Sequence, residues 1–440
     1  VTTEYRTHSF DNLILEERVA RRPDGLLVKL SRKLIINALR QMKRGSLSLE
    51  LTDGTRMFFG DGEGSVNAQI RVLDNQFFVD CLIYGHIGFA ESYIKGDWQT
   101  DNLSGVIAWF ILNLEGSTVL EGSAAKFGLI NLFALVNKLS HWRKHNSFEN
   151  SKSNIGSHYD LGNEFFAQFL DPTMTYSSAH FTVEGQSLKS AQLAKYDRLC
   201  QLLRLSPNDR LLEIGTGWGG FAIYAAKNYG CRVTTTTISQ EQFKYACQLV
   251  LENGLNEKVE VINCDYRLLT GSFDKIVSIE MVEAVGDQYY ETFFEKLSSL
   301  LRPEGLIALQ MITCPDSRFE VLRNNVDFIQ KHIFPGSLIP SIERVLSATK
   351  KTGSLFLYDL KDLGNSYALT LDHWQRNFVA DSQELIRQGF DDRFIRKWFY
   401  YFSYCKAAFA MRNLTVVQAV FTKPNNLKLS TTTHLLRDPS

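Results

Sequence analysis

The residues best placed to do chemistry centre on positions 211–220, LLEIGTGWGG, where a short apolar run breaks into four glycines with one acid ahead of them. Such a run reads as a strand, a tight turn and the start of a helix. Gly215 and Gly217 let the turn bring backbone N–H groups, and the positive end of the following helix, against a nucleotide-like ligand. Glu213 precedes the first glycine by two positions. In the dinucleotide fingerprint the diagnostic acid instead closes the second strand, about 20 residues on, where it holds a ribose hydroxyl. Here that place, residues 233–239, reads VTTTTIS and has no acid.

An acid before ExGxGxG with none after the second strand is similar to S-adenosylmethionine-binding loops rather than nicotinamide-binding ones. The plain alternative is a structural βα turn, and the neighbouring elements decide between them. Residues 211–214, 232–237, 259–263, 275–279 and 306–311 read as strands separated by helical windows. That alternation implies right-handed crossovers and a mostly parallel sheet. In such sheets ligands bind beyond the carboxyl ends of the strands, where every motif of interest falls.

At 440 residues the chain is long enough for two domains. Lys+Arg and Asp+Glu both number 48, so the basic excess of a dedicated nucleic-acid binder is missing. The seven cysteines are scattered without a CxxC pair, which indicates neither a disulfide framework nor a zinc site, and no metal is expected. A reducing cytoplasm fits that usage. No apolar run reaches the roughly 18 residues a spanning helix needs, so membrane contact is expected to be peripheral.

Residues 18–44 carry nine basic residues, among them Arg21, Arg22, Lys29 and Arg32, interleaved with apolar residues at roughly helical spacing. A basic amphipathic helix can lie on anionic head groups; a solvated face of a domain helix is the alternative. Short β-like runs follow at 47–52, 57–60, 68–73 and 77–84, making a small α+β unit. Residues 88–103, GFAESYIKGDWQTDNL, set aromatics beside acids and suggest a docking edge. A second amphipathic stretch at 124–145 leads into the polar segment 146–154, which marks a domain boundary. The expected division is an N-terminal lipid-associating domain (1–123), helix and linker (124–154), a cofactor-binding domain (155–424) and a poorly ordered tail (425–440).

Five stretches together resemble the cyclopropane fatty-acid synthase family, which includes the mycolic acid cyclopropane synthases. They are HYDLGNEFF (158–166), LDPTMTYSSAHF (170–181), LLEIGTGWGGFA (211–222), TTISQEQ (236–242) and FDKIVSIEMVEAVG (273–286), continued by PEGLIALQMIT, IFPGSLIPS and YALTL. The resemblance implies an α/β class I methyltransferase fold, Rossmann-like with a mostly parallel seven-stranded sheet, beside a smaller N-terminal α+β domain. It also implies methyl transfer from S-adenosylmethionine to the double bond of an unsaturated acyl chain of membrane phospholipid. A bound bicarbonate then removes a proton so that a cyclopropane ring closes.

By the same resemblance Tyr176 and Ser177 line the methionine end of the cofactor, with Glu213, Gly215 and Gly217 at the loop. Thr237, Ile238 and Gln242 take the ribose and adenine side, and Asp265 and Tyr266 flank the adenine. The bicarbonate pocket departs from the family pattern. Its cysteine in YSCAY is Ser178 here, FEHxG becomes VEAVG with Glu283 retained, and the histidine of LHTI is Gln310; Tyr367 and Ile312 are kept. Serine preserves a backbone donor, whereas glutamine donates a hydrogen bond but carries no proton at neutral pH. A looser anion site would let the intermediate cation end as a methyl-branched or methylene chain instead of a ring. A reading of another class is a non-catalytic lipid-binding protein; methylation of a small soluble molecule would leave the N-terminal unit unexplained. The expected partners are unsaturated phospholipids and the inner membrane surface, with no nucleic acid and a homodimer left open.

Overall fold

The second strand of the glycine motif predicts its own neighbours: threonines and valines that must be buried on both sides need a sheet covered on both faces. A computed structural model, describing residues 25–113 and 161–429, has that sheet. Its strands are β5 (Arg210–Ile214), β6 (Arg232–Thr237), β7 (Val259–Asn263), β8 (Phe273–Ile279), β9 (Leu301–Thr313), β10 (Phe356–Asp362) and β11 (Thr415–Thr422). They lie in the order β10-β11-β9-β8-β5-β6-β7. The five strands from β9 to β7 are mutually parallel, and β11 and β10 close one edge antiparallel.

Successive residues of a strand face opposite sides, and here each side meets its own core. Leu212, Ile276, Ile307 and Phe421 join Phe293 and Phe294 on one face. Leu211, Val277, Ala308 and Val420 join Leu199 and Phe221 on the other. The inner strands therefore sit between two apolar layers, with edge strand β10 largely exposed, and the fold is α/β with a mostly parallel sheet, as the strand pattern implies.

The chain divides into two compact units. The second holds the seven-stranded sheet and covers, within the described residues, 161–324, 334–370 and 414–429. The first covers 25–113 together with Asn325–Ile333 and Leu371–Asn413, so the division is not a single cut near residue 155. Its sheet orders β2 (Arg56–Gly60), β1 (Ser46–Glu50), β3 (Asn67–Val72) and β4 (Trp98–Gln99). Alternate residues Leu47, Leu49, Ile70 and Val72 are buried. Helix Asp392–Ala410 packs on helices Gln76–Lys95 and Leu103–Leu112. Its buried Arg396 donates from Nε to the Tyr93 carbonyl at 2.8 Å and lies 4.2 Å from that ring's centre, which ties the late segment to the early one.

The strand expected at residues 77–84 is helical instead, within Gln76–Lys95, which kinks at Gly85. The apolar run FFVDCLIY is continuous rather than alternating, and Phe77, Phe78, Val79 and Asp80 are all buried. A run apolar on every side suits a buried helix as well as a strand, and length settles it. Asp80 escapes isolation through Lys95, 2.7 Å away. The acid-aromatic segment 88–103 spans the end of this helix and β4, where Trp98 is fully buried.

Of the basic stretch, Lys29, Arg32 and Lys33 lie in helix Leu26–Leu39, whose Leu26, Leu27 and Leu30 are exposed. Arg18, Arg21 and Arg22, the amphipathic stretch 124–145 and the linker 146–154 fall outside the described residues. No helix among the described residues is long and apolar enough to cross a membrane. Beyond β11, Asn426 is buried and donates to Thr422 Oγ1 at 2.9 Å, and a short 3-10 turn follows at Leu427–Leu429.

Candidate active site

Parallel strands end on one side of a sheet, so the segments following β5 to β9 converge. After β5 the chain turns at Gly215 (φ 96°) and Gly217 (φ 52°) before helix Gly220–Tyr229. A side chain at Gly217 would meet nothing within 4 Å. The loop leaves an open cradle there, and its backbone can approach a ligand closely. That shape fits S-adenosylmethionine, which supplies an electrophilic methyl group when bound.

Glu213 is buried within β5. Its carboxylate accepts from Thr235 Oγ1 at 2.6 Å, and Thr235 shares a 2.7 Å hydrogen bond with the Thr216 hydroxyl of the loop. Gly215 and Thr216 also donate their N–H groups to the Thr236 carbonyl, each at 3.0 Å. The acid ahead of the glycines thus fastens the loop to β6. Burial pushes its carboxyl up to about 8, against the pull of the Thr235 hydrogen bond and Lys195.

At the end of β6, Thr237 donates to Gln242 Oε1 at 2.9 Å and both are buried, with Ile238 half-buried between them. After β7, Asp265 caps the 3-10 turn Tyr266–Leu268 and holds Arg267 at 2.7 Å. Tyr266 stands edge-on to Phe293, centroids 5.4 Å apart. These side chains stand at the carboxyl ends of β6 and β7, the strands that follow β5 in the sheet order.

The 171–181 segment reaches the start of the helix after the loop, where the Thr173 carbonyl lies beside Gly220. Tyr176 is half-buried against Phe166, Phe169 and Phe334. Ser177 Oγ accepts from Lys195 Nζ at 2.6 Å, and Gln192 Nε2 donates to the Ser177 carbonyl at 2.9 Å. Lys195 is fully buried, and desolvation lowers its ammonium to about 7 although Glu280, Asp171 and Glu213 oppose this.

After β8 stand two acids three positions apart. Glu280 has φ 50°, a backbone conformation glycine adopts freely and a longer side chain rarely does. Its Oε1 accepts from the Ser178 backbone N–H and from Gln310 Nε2, both at 2.8 Å, and its Oε2 accepts from the Tyr367 hydroxyl at 2.8 Å. Gln310 is fully buried and also donates to the Ser178 carbonyl at 3.0 Å, while its own oxygen accepts from Gln418 Nε2 at 2.9 Å. Burial holds the Glu280 carboxyl above the usual carboxylate range, with Gln310, Lys195, Ser178 and Tyr367 opposing the shift. The residue as a whole is half-buried.

Glu283 is buried in the 3-10 turn Val282–Ala284 and accepts from the Ile312 N–H. Its second oxygen has no partner among the described residues. Burial first, and the nearby Glu280 second, push its carboxyl up to about 8. Burial thus raises both carboxyls, Glu283 up to about 8, while Glu280 carries donors on both oxygens that favour its charged form; environments that treat two neighbouring carboxyls differently in this way mark acid–base sites.

Ser178, Gln310 and Tyr367 are therefore brought together, and what joins them is Glu280. Glu283 and Ile312 form a separate pair alongside. Sequence reasoning passed over Glu280, Lys195 and Gln418. For Glu280 a signal existed in the EMVE spacing right after a strand. Lys195 sits in a helix of mixed composition and carries no motif, and Gln418 is known only through β11's register with β9, which sets it opposite Gln310.

Comparison with known proteins agrees with this geometry. The profile of the family described as mycolic acid cyclopropane synthetase matches residues 146–419. Tuberculostearic acid methyltransferase UfaA1 of Mycobacterium tuberculosis is 35% identical over 91% of this chain and 93% of its own length. Cyclopropane-fatty-acyl-phospholipid synthase of Escherichia coli K12 is 35% identical over 82% of this chain and 89% of its own. Among solved structures, the cyclopropane synthase MmaA2 from Mycobacterium tuberculosis superposes with a TM-score of 0.58 at 31% identity, covering 62% of this chain and 98% of that one. The mycolic acid cyclopropane synthase CmaA1 bound to S-adenosylhomocysteine and CTAB gives the same score at 30% identity, over 62% of this chain and 98% of its own. With the glycine cradle, the strand-end side chains and the carboxylate cluster in place, the chain belongs to the mycolic acid cyclopropane synthetase family and is an S-adenosylmethionine-dependent methyltransferase.

Proposed function

We propose that this enzyme transfers the methyl group of S-adenosylmethionine to the cis double bond of an unsaturated fatty acyl chain of membrane phospholipid, with a cyclopropane as product. The observation that carries the reading is the Ser178–Gln310–Tyr367 set converging on one carboxylate beside the cofactor cradle. An alkene has no proton to remove before it attacks. The protein must align the π bond with the methyl, exclude water and offer an acceptor for a proton released afterwards. A cluster that presents a carboxylate, held by donors and close to the cofactor, suits that third need. The relatives named for fatty acyl substrates support the acyl chain as acceptor, and the Escherichia coli relative's name supports the phospholipid.

Bicarbonate, which the resemblance implies, fits poorly. Ser178 N–H, Gln310 and the Tyr367 hydroxyl already donate to Glu280, and a second anion would have to sit against that carboxylate without them.

A second product, a methylene or methyl-branched chain, is favoured by the altered pocket and by likeness to the tuberculostearic acid methyltransferase over nearly the whole chain. The test is expression in a host lacking its own cyclopropane synthase, grown on methionine with a trideuterated methyl. Ring and methylene products keep two deuterium atoms, and a branched chain with an internal double bond keeps three. Hydrogenation then separates the ring from the methylene. Acyl chains without label in cells making folded enzyme would sink the reading.

Access to a bilayer substrate fits the first unit, whose helix Leu26–Leu39 exposes Leu26, Leu27 and Leu30 beside Lys29 and Lys33. Basic residues near an anionic surface contribute about 1 kcal/mol each, so peripheral attachment to the cytoplasmic leaflet should weaken with salt.

A further inference from the structure

We propose that Glu280 is the proton acceptor of the reaction, a carboxylate carried by the chain and seated on the donors that would otherwise hold a free anion, so that turnover needs no bicarbonate. This rests on the reading that the reaction is methyl transfer to an alkene.

Three observations carry it. First, the donors come from widely separated parts of the second unit, a backbone N–H at 178, an amide at 310 and a phenol at 367, and they meet on both oxygens of one side chain. A carboxylate and a bicarbonate present the same planar O–C–O fork, so one donor set serves either. Second, the backbone at 280 lies in the left-handed region, with its N–H donating to the Gln310 carbonyl at 2.7 Å. Strained non-glycine backbone persists where the surroundings impose it, and it gathers at functional sites. Here the strained residue is the one whose side chain fills the anion position. Third, Gln310 is fixed by Gln418, which donates to its oxygen and leaves its NH2 group facing Glu280 and the Ser178 carbonyl. Glutamine at this position donates to a resident carboxylate without having to titrate.

The step balances as follows. The alkene π pair bonds to the methyl carbon, the carbon–sulfur pair leaves with sulfur as the neutral thioether, and the neighbouring alkene carbon becomes cationic. A C–H bond of the transferred methyl gives its pair to that cation, closing the ring, and the proton passes to a Glu280 oxygen. Loss of a proton after a hydride shift gives a methylene by the same acceptor. Glu280 returns to the carboxylate by releasing its proton to water.

The experiment uses the full-length enzyme, S-adenosylmethionine and vesicles of dioleoyl phosphatidylglycerol, with rates measured in carbon-dioxide-free buffer and again with added bicarbonate. Wild type should turn over equally in both, within about twofold. Glu280→Gln should lose roughly 100-fold or more in kcat, the usual range for a general base, and keep its calorimetric affinity for S-adenosylmethionine. Glu280→Gly, which suits the backbone at this position, should be equally slow but regain activity saturably with bicarbonate, formate or acetate, and a merely structural carboxylate would give no such rescue. Wild type stimulated severalfold by bicarbonate, or a folded, cofactor-binding Glu280→Gln with undiminished rate, overturns the assignment while leaving the functional reading intact. A wild type that binds cofactor but methylates no unsaturated lipid overturns that reading, and this proposal with it.

Discussion

Replacing Tyr367 by phenylalanine should move the acid limb of the pH–rate profile upward by about one pH unit. The substitution keeps the ring and deletes a single hydrogen bond, the 2.8 Å contact from the hydroxyl to Glu280 Oε2. A hydrogen bond to a charged acceptor contributes about 1.5–3 kcal/mol, and each pH unit in a carboxyl's titration corresponds to about 1.36 kcal/mol, so the limb should rise by about 1–2 pH units. The Ser178 N–H and Gln310 still donate to Glu280 in the variant, so the lower end applies. The phenol favours the carboxylate; without it the proton binds more tightly, and the form able to accept a proton appears only at higher pH. Below both limbs the variant should be slower by about tenfold for each pH unit the limb has moved, and the gap should narrow above them. Initial rates on vesicles from mildly acidic to mildly alkaline pH at saturating S-adenosylmethionine measure this, with cofactor affinity by calorimetry as control. A uniform loss of rate at every pH, with the acid limb unmoved, would refute the reasoning and make Tyr367 a substrate-positioning residue.

Other perturbations test other parts of the site. Thr235→Val strips the buried Glu213 of its donor and the loop of its side-chain bond to β6, leaving the two backbone bonds to Thr236; affinity for S-adenosylmethionine should fall about tenfold, equivalent to about 1.4 kcal/mol, and unchanged calorimetry would dissociate cofactor binding from this chain of bonds. Gly217→Ala puts a side chain into the left-handed region at a cost of about 1–2 kcal/mol and into the open cradle, so both the melting temperature and cofactor affinity should drop. Glu283 is raised to about 8 in the folded protein against an ordinary 4.5, so the folded protein holds its proton more tightly; the stability this gives is full below about pH 4.5 and gone once pH passes about 8. Glu283→Gln should accordingly flatten the fall in melting temperature from about pH 6 to about pH 9, and an equally steep fall in the variant would count against it. Charge reversal at Lys29, Arg32 and Lys33 should weaken co-sedimentation with anionic vesicles at low salt while sparing cofactor binding; undiminished sedimentation removes this helix from the membrane contact.

Much of the second unit is legible in the sequence because its signals are local. Five apolar runs separated by helical windows become β5 to β9, in the order a parallel sheet allows, and strand ends must then share an edge. The run at 77–84 fails for the complementary reason, since an unbroken apolar stretch has no period of two or of 3.6 to read, and Asp80 is tolerated there through Gln76 one turn away and Lys95 at the far end of the helix. The assignment of Leu371–Asn413 to the first unit is equally invisible locally, because it depends on Arg396 finding the Tyr93 carbonyl about 300 positions away. In the site, motif matching picked the positions 178, 310 and 367 and gave them to a bicarbonate pocket, without showing that their hydrogen bonds meet on a side chain of the chain itself. That answer lies in the φ of Glu280 and in three hydrogen bonds from distant segments, neither of which leaves a mark in the chain's periodicity.

An acceptor built into the chain places a demand on the site that a diffusible anion does not. Bicarbonate can carry its proton away, whereas Glu280 must be deprotonated in place before the next turnover. The cationic intermediate requires a site shielded from water, yet a sealed carboxyl holds its proton more tightly, as Glu283 does. The structure separates these needs by position. Glu283 is buried with one oxygen unpartnered and holds its proton up to about 8, while Glu280, only half-buried as a residue, has three donors that favour its ionised form. Lys195, buried beneath Ser177, adds an attraction that further favours the carboxylate. With Glu280 as acceptor, the donors thus both orient the base toward the reacting carbon and return it to the charge state the next cycle requires. Exchanging Gln310 for a residue that binds and releases protons itself would couple a second titration to that return step.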